Sequence, residues 1–364
     1  MGPAFAGVTD FIRTGFNKFS LGVVRWGMNR HLHFIFPVLL LLAASVSRGQ
    51  GQPQSEGYTR LFRVYEDNDF LNIKGNGTDN AYTNGTRFDL FYTKKHPSHS
   101  LVERLLPRAG DSSLNIFGWS LMQIMVTPND ISKTYDQPDD YPYCGALFAT
   151  HSLYSYNAKK NYSFQTELVA GIRGPASFAE QSQKAIHGLI NYQKPMGWQN
   201  QLSTSPLVNI NFTAEKKLIA LTRYVELIGG AKLSGGSMLD AFMFYPLFRI
   251  GKMNPYFDGY FSQYSSSGGK GKKTQFYLFF QPKTSFVLHN SLVYGSKPDA
   301  VSSPLDTISV SSERRIRHRL EDISFGGVFS HKNFSIVYTQ THSTEYNKGL
   351  YRHNVGNISL YFSW

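Results

Sequence analysis

From residue 58 onward the chain alternates apolar and polar positions with a period of two. In Asn357–Trp364, the residues Ile358, Leu360, Phe362 and Trp364 share one face of an extended strand. Asn357, Ser359, Tyr361 and Ser363 share the other. Val208, Ile210, Phe212 and Ala214 alternate in the same way with Asn209, Asn211, Thr213 and Glu215. Tyr162, Phe164, Leu168, Ala170 and Ile172 alternate with Ser163, Gln165, Glu167 and Gly171. Further strand-like stretches fall near 84–93, 144–154, 219–229, 241–250, 273–281, 284–294, 323–330 and 334–341, punctuated by Gly, Asn, Pro, Ser and Lys as hairpins are. A soluble sandwich alternates too. Three features favour a barrel in a membrane: polar faces rich in Asn, Ser, Glu and Gln, aromatic residues at segment ends, and a final strand closing on Trp364. The pattern predicts an all-β fold, one transmembrane antiparallel β-barrel of about 12 strands over residues 50–364.

Two segments break the alternation. Residues 174–190 place Pro175 at a helix start, followed by an interior of Ala, Glu, Gln and Lys, which predicts one α-helix carried by a loop or by the lumen. On its projection Phe178, Ala185, Ile186, Leu189 and Ile190 form a stripe, with Glu180, Gln183, Lys184 and His187 opposite. Phe34–Val46 is the one long apolar run, too short to span a bilayer as a helix. It follows Met28-Asn29-Arg30-His31 and precedes small residues up to Gly49, so residues 1–49 read as an N-terminal extension and a secretory signal peptide, with Met28 the expected true start.

Composition narrows the class. With 17% charged and 15% aromatic residues among 364, the chain is not disordered, and its single cysteine excludes a disulfide framework or a multi-cysteine metal site. A mean hydropathy of −0.29 is too polar for a helical membrane bundle. The net charge of +12 suits an anionic partner, and beside a barrel that partner is an anionic lipid surface rather than nucleic acid.

Candidate chemistry concentrates near the mature N-terminus and on the helix. Tyr65-Glu66-Asp67-Asn68-Asp69-Phe70 and Asp79-Asn80-Ala81-Tyr82-Thr83-Asn84-Gly85 are dense in the hard oxygen ligands calcium prefers, although Asn-Asp and Asn-Gly are equally turn residues and no EF-hand frame is present. His187, on the polar face of the helix, is the best candidate general base. Ser177 and Ser182 lack the spacing and the elbow motif of a serine nucleophile.

In order along the chain, Glu66–Phe70, Tyr82–Gly85, Val126–Ile131, Pro142–Gly145, Gly174–His187 and Gly197–Leu202 resemble the lipid A 3′-O-deacylase family of Gram-negative outer membranes. The resemblance runs from about residue 60 to the C-terminus. It implies a twelve-stranded barrel with its active site between the wall and a helix from an extracellular loop. It also implies calcium-dependent hydrolysis that releases the 3′-acyloxyacyl chain of lipid A. The residues it points to are Asn68, Asp69, Thr83 and His187. His187 would deprotonate water, Asp69 and Thr83 would hold Ca2+, and Asn68 would assist at the oxyanion. Lipid A, or lipopolysaccharide, would be the substrate and partner, in the outer membrane of a Gram-negative bacterium.

One departure matters. Gln193 and Lys194 stand where the family carries a glutamate associated with activity, with Glu180 a candidate substitute. Cys144 replaces an expected alanine, a change of packing. The competing readings are a non-catalytic barrel whose site has decayed and a calcium-dependent phospholipase-type barrel.

Overall fold

The computed structural model describes residues 58–73, 81–96, 100–265, 273–296 and 316–364. The leader read from the sequence, Asp79, Asn80, Arg314 and Arg315 lie outside the described residues. Twelve strands form a closed antiparallel barrel: β1 (Arg60–Asn68), β2 (Ala81–Thr93), β3 (Leu114–Thr127), β4 (Cys144–Asn157), β5 (Tyr162–Arg173), β6 (Ser205–Thr222), β7 (Val225–Gly236), β8 (Leu239–Lys252), β9 (Thr274–Asn290), β10 (Arg319–His331), β11 (Phe334–Ser343) and β12 (His353–Ser363). Each strand pairs with its neighbours in sequence, and β12 returns to β1 with Leu61 opposite Ser363 and Asn68 opposite Gly356. Closure leaves no sheet edge, and in hydrocarbon an unpaired backbone edge is not tolerated.

The register fixes which side chains face out. Phe88, Leu121 and Ala149 lie in one row across β2, β3 and β4. Trp119 and Leu121 are both about half exposed. Val208, Ile210, Phe242, Phe244, Phe276, Leu278 and Phe280 extend this apolar outer band around the wall. The alternate residues turn inward. Asn209, Thr213, Glu215, Ser359 and Ser363 are buried, as the alternation of β6 and β12 requires.

Inside, charges are paired as burial demands. Asp89 accepts from Arg63 Nε and Arg87 Nε, each at 2.7 Å, and Arg249 Nη1 meets Glu226 at 2.8 Å. A cavity of about 320 Å³ bordered by Arg63, Arg87, Glu167 and Lys232 occupies the middle. Apolar plugs close it off above and below. The connection after β8 folds inward, and Tyr256, Phe257, Tyr260 and Phe261 pack against Leu61, Phe91, Ile116 and Tyr361. Part of that connection is the helix Tyr260–Tyr264. At the other end the short helix Ser291–Tyr294 brings Leu292, Val293 and Tyr294 against Val126, Ala146, Phe148 and Val169. The longest of the fully described connections, 174–204, lies at that second end, which is therefore the extracellular one.

The sequence predicts one helix. The structure adds Leu101–Leu105, Tyr260–Tyr264 and Ser291–Tyr294, elements of four or five residues that are too short to print a 3.6-residue period. The predicted helix is present as Ala179–Leu189 and, with Leu101–Leu105 as α1, is α2.

Candidate active site

The outward residues of β3 form a column that ends beneath α2. Trp119 and Leu121 are exposed on the outer band, and Gln123 and Met125 follow on the same face. Gln123 Nε2 donates to the Ser177 carbonyl at 2.7 Å, just before α2 begins. Met125 packs with Ile131, Tyr143, Ala179 and Trp198 in a small apolar core of their own. The helix is therefore mounted outside the wall, over β3 and β4, and not in the lumen.

The motif residues build that mount. Gly145 lies opposite Met125 on β4, and a Cβ there would come within 2.3 Å of both Ala179 Cβ and Ser177 Oγ, so only glycine allows the helix this close. Gly174 N donates to the Gly145 carbonyl at 2.8 Å, and Leu202 N donates to the Tyr143 carbonyl at 2.9 Å. The Tyr143 and Trp198 rings lie 5.0 Å apart. A Cβ at Gly197 would sit 2.5 Å from the Tyr143 ring. Phe178, the residue before α2, adopts φ 59 and ψ 18, a left-handed conformation unusual for an aromatic residue, and it leaves the side chain exposed.

Ala179, Gln183 and His187 recur every four residues and are the buried positions of α2. Gln183 Oε1 accepts from Trp198 Nε1 at 2.7 Å. One turn on, His187 is 6% exposed, and its Nδ1 lies 2.6 Å from the Gln193 carbonyl oxygen. A carbonyl only accepts, so Nδ1 carries the proton of the neutral ring and Nε2 is the basic nitrogen. The Tyr192 ring stands edge-on at 5.1 Å and braces the imidazole.

The other predicted residues gather on the adjacent strands, also on the outside. Asn68 lies opposite Asn84, in the outward row that continues to Met125. Its Oδ1 accepts from Phe70 N at 2.8 Å and caps the 3-10 turn Asp69–Leu71. That turn folds back over the outer face of β12 and β11. Leu71 O would lie 2.1 Å from a Cβ at Gly356, and it accepts from Tyr338 Oη at 2.9 Å; Ile73 N donates to Gln340 Oε1 at 2.8 Å. Asp69 is buried in this fold-back. Thr83 sits at a β-bulge, where the register slips between Tyr82 and Asn84. A bulge re-aims a side chain, and Thr83 Oγ1 meets Thr127 Oγ1 at 2.7 Å. The structure thus places Asn68, Asp69 and Thr83 at the extracellular ends of β1 and β2, and it holds His187 on the helix over the neighbouring β3–β4 pair.

The oxygen donors at the first cluster fit a hard cation. Asn72 Oδ1 is buried without a hydrogen-bond partner among the described residues, close to Asp69 in the fold-back over β12, while the Thr83 hydroxyl lies toward β3 against Thr127. Asn72 Nδ2 donates to the Asp69 carbonyl, which ties the two residues together. Among the described residues no three His, Cys, Asp or Glu side chains gather as a metal cluster. A cation here would rest on one carboxylate and neutral oxygens, a set that suits calcium better than zinc.

The sequence marks the stretches that hold Thr127 and Trp198 but assigns no contact to them, and it does not mark Gln123 or the Gln193 carbonyl. Thr127, Gln123, Trp198 and the Gln193 main chain act through contacts across 6 to 54 residues, which no local pattern marks. Glu180 does not substitute for the missing carboxylate; it pairs with Lys184 at 2.5 Å on the flank of the helix away from the buried face. Cys144 is buried among Val126, Ala146 and Phe148, a packing role as expected. In the basic stretch Arg314-Arg315-Ile316-Arg317-His318-Arg319, the described Arg317 pairs with Glu345, Arg319 with Glu321 at 2.7 Å, and His318 Nδ1 donates to the Val287 carbonyl at 2.8 Å.

The family model described as outer membrane protein LpxR matches residues 34–364. The chain belongs to the LpxR family. The solved LpxR from Salmonella typhimurium is 15% identical, superposes with a TM-score of 0.64, and is covered along 100% of its length by 84% of this chain. The β-domain of the Bordetella autotransporter BrkA is 9% identical at a TM-score of 0.40, with 84% of this chain and 99% of that one covered. No match was found among curated proteins. LpxR membership agrees with the family resemblance read from the motifs, and it places the barrel in the outer membrane.

Proposed function

We propose that the chain is an outer-membrane lipid A deacylase that hydrolyses the ester holding the 3′-acyloxyacyl chain. LpxR membership supports the deacylase reading. The carrying observation is the side of the wall on which the site lies. Asn68, Thr83, Gln123 and His187 stand on or against the outward face, at the extracellular end of the apolar band, while the lumen is filled at both ends. A site so placed opens toward lipid of the outer leaflet and not toward a channel.

His187 is the general base in this reading. Its Nδ1–H is fixed on the Gln193 carbonyl, and Nε2 takes a proton from the water that attacks the ester carbonyl. Asp69 and Thr83 would hold Ca2+, and Asn72 Oδ1 is a further buried oxygen close to Asp69. When bound, the cation supplies charge stabilisation for the ester oxygen. Asn68 contributes an amide N–H to that oxygen, since its own Oδ1 is committed to Phe70 N.

The replacement of a family glutamate by Gln193 favours a second reading, a barrel whose site has lost activity. Mass spectrometry of lipid A from outer membranes carrying the protein separates the two. Loss of the acyloxyacyl mass supports deacylation, and unchanged lipid A supports the inactive barrel.

A further inference from the structure

Helix α2 has an inverted distribution for a helix resting on a protein wall. Its buried positions are Ala179, Gln183 and His187, whereas Ile186 and Leu189 are 51% and 79% exposed. On a projection of 100° per residue the wall-facing row is flanked on one side by Ile186 and Leu189, and on the other by the Glu180–Lys184 ion pair. A water-bathed helix would turn Ile186 and Leu189 toward the wall, because each costs on the order of 1.5–3 kcal/mol to leave in water. Tyr192 and Met196, on the segment following the helix, are also exposed.

We infer that this apolar flank is a docking surface for acyl chains of outer-leaflet lipid, so that α2 lies in the membrane interface with one side in hydrocarbon and the other in water. Continuity with the lipid-facing band names the occupant. The outward column of β3 runs from Trp119 and Leu121, within that band, directly to Gln123, which bonds the Ser177 carbonyl beside exposed Phe178. Along the β3 column Gln123 alone stands between the band and the helix, with Leu147 beside it on β4, and the Gln123 amide is engaged in that bond. An apolar flank, a polar flank and a place at the end of the hydrocarbon band together define an interfacial helix. The surface also gives the site a chain-binding wall, since His187 lies on the adjoining face of the same helix.

The test labels the intact, folded barrel with an environment-sensitive fluorophore at Leu189→Cys, with Leu121→Cys as the hydrocarbon reference and Lys184→Cys as the water reference. Cys144 is buried, so the unsubstituted chain gives the background labelling. Proteins are placed in phosphatidylethanolamine–phosphatidylglycerol vesicles whose chains carry bromine close to the ester bonds. The label at 189 is expected to be quenched about as strongly as that at 121, while the label at 184 stays bright. A label at 189 as bright as that at 184 overturns the inference. So does a shielded but unquenched label whose shielding is lost on dilution in the bilayer, which would mean a second copy of the chain covers the flank. Quenching is read without turnover, so failure of the surface and failure of the deacylase reading give different results.

Discussion

His187 Nδ1 and the main-chain carbonyl of Gln193 lie 2.6 Å apart, a contact that closes the loop after α2 onto the imidazole. The partner is backbone, so the side chain at 193 need not be a carboxylate to fix the ring. Gln193→Ala is therefore expected to keep lipid A deacylation within about threefold of the unsubstituted chain, less than the loss of a buried hydrogen bond would cause. Initial rates on purified lipid A check this. A drop as deep as that of a His187 variant would mean that the Gln193 amide itself takes part.

Gly145 admits α2 to the wall. Gly145→Val puts methyl groups where Ala179 and Ser177 already stand and is expected to cost about 1–3 kcal/mol of helix docking. The barrel, closed through backbone pairing elsewhere, should still show the gel shift of a folded outer-membrane protein, while protease cuts within 174–196 at an increased rate. Unchanged protection of that segment would show that the helix is not seated on Gly145.

Trp198→Phe removes the indole donor to Gln183 and keeps most of the packing against Tyr143. The expected effect is a loss of about 0.5–1.5 kcal/mol in the local stability of the segment, seen as faster amide exchange over 179–189. Exchange rates equal to those of the unsubstituted chain would discount the indole–amide bond as an anchor.

If Asp69 and Thr83 hold calcium, the two substitutions should differ. Asp69→Asn removes the one carboxylate and is expected to raise the calcium needed for half-maximal activity by about tenfold or more, the equivalent of roughly 1.4 kcal/mol. Thr83→Ser, which keeps the hydroxyl opposite Thr127, should leave it nearly unchanged. Equal calcium requirements for Asp69→Asn and the unsubstituted chain would place the cation elsewhere.

The barrel was legible because alternation is a local signal. Ile358, Leu360 and Phe362 face out, while Asn357, Ser359 and Ser363 are buried, as their spacing required. The helix was legible too, from Pro175 and its Ala-, Glu- and Gln-rich interior. Which side of the wall it occupies was not, because that depends on Gly145 lying opposite Met125 and on Gln123 reaching Ser177, pairings set by register across β3 and β4. The inward plug around Tyr256 and Tyr260 was hidden for a related reason, since five helical residues carry no period. At the site, Asn68, Asp69, Thr83 and His187 were named from motifs. The Gln193 carbonyl was not, because a main-chain acceptor leaves no mark in residue identity. Thr127 stood in a marked stretch, but its approach to Thr83 was not legible, because it depends on a bulge.

The central claim is that an outward-facing site built around His187 hydrolyses lipid A. Its most direct test is mass spectrometry of lipid A from outer membranes carrying either the unsubstituted chain or His187→Ala, each with calcium and with a chelator. The expected result is loss of the 3′-acyloxyacyl mass with the unsubstituted chain in calcium, suppressed by the chelator and reduced by about 10²–10⁴-fold in His187→Ala. Intact lipid A with the folded, unsubstituted chain in calcium, or equal deacylation by His187→Ala, would contradict it.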